Sequence, residues 1–161
     1  MAIEFNNTYS NDYTDFSSAV MSLWKIIGTH GVMTLSSCSE NRVTSRSMSI
    51  VVIDGKFYCQ TDERYLKCRQ IKVNPNVALC MNNFSIEGEC RIIGRPAENS
   101  FFIDRMKACF PDAVSRWSEL PAECVLEITP KLISSWIYEK NKPYIERWNF
   151  ENNSYEKEIQ A

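Results

Sequence analysis

The dipeptide Asp54-Gly55 constrains this chain more than any other pair of residues. It joins two β-prone runs, "VTSRSMSIVVI" (43–53) and "KFYCQT" (56–61). A two-residue Asp-Gly connection favours a turn in which both residues take positive φ, and the twist of that turn matches the twist of paired strands. The spacing predicts a hairpin whose register is set by its turn. Alternation then assigns faces. Thr44, Arg46, Met48, Ile50 and Val52 share one, and Ser45, Ser47, Ser49, Val51 and Ile53 the other. The first is apolar after Arg46; the second is polar at its start and apolar near the turn.

The remaining elements follow from periodicity. Phe16, Val20, Leu23 and Ile27 recur at helical spacing, with Thr14 or Asp15 to cap the start and Gly28 to end the helix. "GVMTLSSCS" (31–39) is predicted to be a strand and "ENR" a turn. Residues 62–74 are predicted to be a helix capped by Asp62 or Thr61 and ended by Pro75. Two more strands are expected at 77–83 and 86–96, a helix at 99–110, a helical turn near 112–120, and a long strand at 123–138 interrupted at Pro130. Residues 1–14 are expected to be a flexible segment, 15–150 one domain, and 151–161 a frayed polar tail. Short antiparallel strands with few long crossovers point to a mainly β, barrel-like α+β fold rather than a doubly wound parallel sheet.

Bulk properties narrow the function classes. Of 161 residues, 44% are apolar, enough for a globular core. A net charge of −2 without a basic run excludes an electrostatic footprint for nucleic acid. The seven cysteines show no CxxC spacing, so they read as reduced core thiols rather than a zinc or disulfide framework. No apolar run reaches membrane-spanning length. The start, "MAIEFNNTYSNDY", has neither a basic region nor an apolar region typical of export, and a soluble cytoplasmic protein is expected.

Arg46 alone reads as a sheet-margin cation paired with a surface carboxylate, and Lys67 alone as an exposed helix lysine. Together they suggest more. Lys67 lies in the first turns of the helix that follows Thr61, and a helix N-terminus carries unpaired N–H groups. With hydroxyls from Ser45 and Thr61, the two cations could hold a phosphate dianion.

The ordered set "HGVMTLSS…NRVTSRSMSIVVIDGKFYCQTDERYLKCRQIKVNPNVALCM", with the later "IEGECRIIGRP", resembles the pyridoxamine 5′-phosphate oxidase-like FMN-binding split barrels. The likeness is nearest the general-stress-protein branch. The matching features are Ser45-Arg46-x-Met48, Asp54-Gly55, Tyr58 and Thr61 at a strand end, Lys67 and "NPNVAL". The resemblance implies a six-stranded antiparallel Greek-key split β-barrel with flanking helices. It also implies a homodimer with FMN in each of two interfacial clefts. Arg46 and Lys67 would then hold the FMN phosphate, helped by Ser45 and Thr61. Backbone around Met48, Ser49 and Ile50 would line the isoalloxazine ring, and Gln60 would touch the flavin. Asn82 would reach the ring edge or ribityl chain from the partner subunit. Trp136 and Trp148 are expected either to contact the ring across subunits or to pack.

Departures from the family matter too. Leu66-Lys67 stands where the true oxidases carry Arg-Lys, and Val51 where they carry Lys. Their C-terminal Arg and His pattern is not evident, so oxidation of pyridoxamine phosphate is not supported. His30, the single histidine, supplies neither a catalytic triad nor haem ligation. Trp117 and Phe110 are expected to pack between the helices and the last strand. The expected function is therefore an FMN-binding oxidoreductase acting on a small molecule. The alternatives are a non-catalytic flavin-binding or stress-response module, or a deazaflavin-binding relative; the last is disfavoured by the missing basic N-terminal residues.

Overall fold

The computed structural model describes residues 15–160; the expectation for residues 1–14 lies outside them. Helix α1 (Phe16–Ile27) starts at Asp15, whose carboxylate accepts from the Ser18 N–H at 2.9 Å. It ends at Gly28, with φ of 79°. Ala19, Leu23 and Ile27 form its buried face. Strands β1 (His30–Ser39), β2 (Arg42–Ile53) and β3 (Lys56–Asp62) follow as a meander. Asp54 and Gly55 take φ of 48° and 74°, the primed turn expected of that dipeptide.

Helix α2 (Leu66–Val73) is shorter than expected and starts four residues after Asp62. Asp62 does not cap it. Arg64 claims that carboxylate through its backbone N–H at 2.9 Å and its guanidinium, making a local turn that competes with the helix. Strands β4 (Asn76–Met81) and β5 (Phe84–Ile92) form the next hairpin. Helices α3 (Ser100–Cys109) and α4 (Pro111–Trp117) precede β6 (Glu123–Glu139). Beyond residue 139 the sequence expectation fails. Residues 142–149 form β7 (Lys142–Asn149), and the end expected to fray forms β8 (Ser154–Ile159), paired along β7.

The sheet order is β3-β2-β1-β4-β5-β6-β7-β8, and β3 also pairs with β6. That pairing closes a ring of six antiparallel strands, with β7 and β8 added outside it. Alternation works as predicted on β2. Ile50 and Val52 enter the barrel core with Leu35, Phe57, Leu79 and Leu126, while Val51 faces outward under Phe102 and Met106 of α3.

The register of β5 on β6 shifts between Glu87 and Gly88, opposite Pro130. The strand thus runs through the proline, which is tolerated at such a bulge. A Cβ on Gly88 would lie 2.4 Å from the Thr129 carbonyl oxygen. Gly88→Ala is therefore expected to cost about 1–3 kcal/mol, read as a lower urea midpoint, because backbone must move to admit the methyl group.

Candidate functional site

The β2–β3 ladder is short. Only Val51–Ile53 of β2 pair with Lys56–Tyr58 of β3. Beyond those rungs β3 follows β6, from Phe57–Ile128 to Asp62–Glu123, and β2 follows β1. The ring is split here, and one backbone edge of β2 near Met48 and Ser49 is left without a β3 partner. A cleft of about 290 Å³ occupies the split, between Ser47–Ser49 of β2 and Gln60–Asp62 of β3. Ala113 and Trp117 of α4, with Leu120, roof it. Gln60 ties that roof down, donating to the Ala113 carbonyl at 3.1 Å and accepting from the Ser118 hydroxyl at 2.7 Å.

The two cations are built in from separate elements. Lys67, the second residue of α2, is buried, and its ammonium donates to the Thr61 hydroxyl at 2.8 Å. It also sits over the Tyr65 ring, 4.6 Å from the centroid. Burial pulls its pKa below the ordinary lysine value, and nearby Arg46 adds to the lowering. Arg46 is half-buried. It donates through Nη1 to the Leu35 carbonyl at 3.1 Å and the Ser37 hydroxyl at 2.9 Å, and through Nη2 to Thr44. Ser37 and Thr44 in turn donate to Gln70 of α2, at 2.8 and 2.7 Å. This hub holds the Arg46 stem against α2.

Neither cation has a carboxylate partner among the described residues, so the expectation that Arg46 pairs with a surface acid is not met. Two cations that feel one another, with no carboxylate in direct contact, are a costly arrangement, eased at Lys67 by the more distant acids Glu123 and Asp62. Three of five guanidinium N–H groups and one of three ammonium protons are engaged, so donors remain on both. That donor set suits a dianionic ester.

Other expected site residues divide. Met48, Ser49, Gln60 and Thr61 line the cleft; Ile50 lies above them on β2 with its side chain in the barrel core. Ser45 points to the opposite face from Arg46, where its hydroxyl bonds that of Ser36 at 2.7 Å, so it is not brought to the cations. Asn82 is not in a strand. It occupies the β4–β5 turn with φ of 53° and is exposed. Trp136 is exposed on β6 and packs against Tyr138. The expectation of a cofactor contact by Trp148 is corrected. It is 1% exposed in the barrel core, and its indole N–H donates to the Ala19 carbonyl at 3.2 Å. Trp117, expected to pack, is instead half-exposed at the cleft. Tyr65, Leu120 and Glu123 were missed. Of these only Glu123, a carboxylate opening an apolar strand, left a trace in the sequence.

No group of three or more His, Cys, Asp or Glu among the described residues is arranged to hold a metal ion. None of the described helices is long and apolar enough to cross a membrane.

The family model for pyridoxamine 5′-phosphate oxidase matches residues 23–137. No curated protein matches the sequence. Among solved structures, General Stress Protein 26 from Bacillus anthracis str. Sterne is 23% identical. That match covers 67% of this chain and 84% of that one, with a TM-score of 0.54. A pyridoxamine 5′-phosphate oxidase-related, FMN-binding protein from Nostoc punctiforme PCC 73102 is 15% identical over 93% of this chain and 98% of its own, with a TM-score of 0.59. An FAD-binding protein from Mesorhizobium loti is 10% identical over 70% and 90%, with a TM-score of 0.56.

Proposed function

Because the chain belongs to the pyridoxamine 5′-phosphate oxidase family, we propose that it binds FMN in the split between β2 and β3 and works as a flavin-dependent oxidoreductase on a small molecule. The observation that carries this reading is the pair Arg46 and Lys67, both held to α2, Lys67 as part of it and bonded to Thr61, Arg46 through the Gln70 hub, with neither in an ion pair among the described residues. These two would hold the phosphate, with Thr61 adding a hydroxyl. The unpaired backbone edge around Met48 and Ser49 would bond the polar rim of the ring. When bound, the flavin supplies hydride or single-electron transfer. The chain's own contribution is to orient the ring, and to exclude water with the Trp117–Leu120 roof. The cofactor-bearing form is taken to be a homodimer. Support comes from the outer face of β1 and β2, where Val32, Ser45 and Ser47 present small, exposed side chains.

Pyridoxamine phosphate is not the proposed substrate, since Leu66 and Val51 replace two of the oxidases' cations. One observation favours a second reading, a flavin-binding module without turnover: Gln60 is already bonded to the α4 roof. Two measurements separate these. Purified protein titrated with FMN is expected to retain it, with bands near about 370 and 450 nm for the oxidised flavin. The loaded protein is expected to oxidise NADH or NADPH with a quinone or nitroaromatic acceptor. Retention without turnover selects the module. Failure to retain FMN removes both readings, and retention of a deazaflavin instead selects that relative. Sedimentation of the loaded protein as a monomer at micromolar concentration contradicts the shared cleft.

A further inference from the structure

Glu123 opens β6 opposite Asp62 of β3, one rung from the Thr61–Cys124 pair. It is 5% exposed, yet it lines the cleft. No hydrogen-bond donor or ion-pair partner reaches its carboxylate among the described residues. Since no fully enclosed side-chain oxygen among the described residues lacks a partner, this carboxylate looks into the open cleft. A buried acid without a donor is unusual, and the one favourable charge it feels is that of Lys67.

The surroundings of Glu123 set its charge. Burial pushes its pKa up to about 7; Asp62 across the ladder adds to the rise, and Lys67 opposes it. Arg64 holds Asp62 down to about 2, so Asp62 stays negative. Glu63 in the β3–α2 turn faces Lys72 at 3.9 Å. The thiols of Cys124 and Cys59 feel Glu123 as well, Cys68 bonds Cys124, and the Tyr65 phenol lines the same cleft. From α4 and the loop after it the cleft receives Ala113, Trp117 and Leu120, none of them titratable.

A dianion bound at Lys67 cancels the one attraction that favours ionised Glu123 and adds repulsion of its own. Both effects raise the proton affinity of the carboxyl group. We propose that Glu123 carries a proton whenever the site holds its phosphomonoester, so that cofactor loading takes up a proton and the neutral acid becomes one more donor in the cleft. The inference rests on the phosphate reading given above. Its sign follows from linkage. Well below pH 7 Glu123 is protonated with or without ligand, and no proton is taken up. Above pH 7 the free site is ionised, loading requires a proton, and affinity falls as pH rises.

The test compares wild type with Glu123→Gln, which keeps a neutral, similarly shaped side chain. FMN's own phosphate titrates identically against both, so the difference isolates Glu123. Between pH 6.5 and 8.5, the Kd for FMN is expected to rise on the order of tenfold more in wild type than in the variant. Calorimetry on wild type at pH 8, in two phosphate-free buffers of different ionisation enthalpy, is expected to show uptake approaching about one proton per FMN. Riboflavin, which lacks the phosphate, is expected to show none. Equal pH slopes for the two proteins, or no uptake by wild type, overturn the proposal. The calorimetry decides even if the variant folds poorly. A protein lacking both Arg46 and Lys67 that binds FMN as wild type does would instead overturn the phosphate reading beneath it.

Discussion

A chain carrying Arg46→Ala and Lys67→Ala is expected to lose FMN on purification and to bind added FMN on the order of 10²–10⁴-fold more weakly than wild type. Hydrogen bonds to charged groups contribute about 1.5–3 kcal/mol each, and two are removed. The loss is expected to be selective. Riboflavin, with the same ring and no phosphate, is expected to bind both proteins with similar affinity. Selectivity also guards against trivial unfolding. Lys67→Ala relieves the burial of a cation, whereas Arg46→Ala removes donors to the Leu35 carbonyl and the Ser37 and Thr44 hydroxyls. Arg46→Lys separates charge from geometry: one ammonium cannot reproduce the guanidinium fork, so an intermediate loss is expected. If the double variant titrates FMN as tightly as wild type, the cations serve the hub around Gln70 and the cofactor's phosphate lies elsewhere.

The parts of the fold that could be read from sequence were those governed by local chemistry. Asp54-Gly55 fixed a turn, the turn fixed a register, and alternation on β2 placed Ile50 and Val52 inside and Val51 outside. Where a local competitor intervenes, the pattern misleads. Asp62 looked like a helix cap, but Arg64 two residues on takes its carboxylate. The β7–β8 hairpin escaped for two reasons. Its entry turn, Lys140-Asn141, adopts left-handed φ of 48° and 63° without glycine. The inward face of β7 carries Glu146 beside Trp148, and a buried acid hides the alternation that would reveal a strand. Glu146 is tolerated inside because the Tyr155 hydroxyl donates to it at 2.6 Å from β8.

The candidate site shows the same division. Arg46, Thr61 and Lys67 lie within 22 positions of one another, on consecutive elements whose order the sequence already set out. Glu123, Trp117 and Leu120 come from a connection more than 40 residues away, and their place follows from how α4 lies over the split. The β3–β6 pairing brings Glu123 to Asp62, and no periodicity in either strand announces that pairing. Separation along the chain, rather than chemical subtlety, hides the acid near Lys67.

Trp148→Ala is expected to destabilise the protein by about 3–5 kcal/mol, the range for removing a large aromatic side chain from a core. Trp136→Ala is expected to stay within about 0.5 kcal/mol. Trp148 packs with Phe84 and Tyr155 at centroid separations of 6.4 and 5.4 Å, and its indole reaches back to α1. Truncation empties the junction between α1, the paired strands β5 and β6, and the added β7–β8 pair. Trp148→Phe is expected to recover much of the loss, though without the N–H that bonds Ala19. Denaturant midpoints read all three, and FMN affinity measured on the folded fraction discriminates the two roles considered for these tryptophans. A core role predicts lost stability with cofactor binding retained in Trp148→Phe. A ring-contact role predicts near-wild-type stability with weakened binding, and that outcome would require β7 to present Trp148 outward, one residue out of the register in which Ile133 faces it.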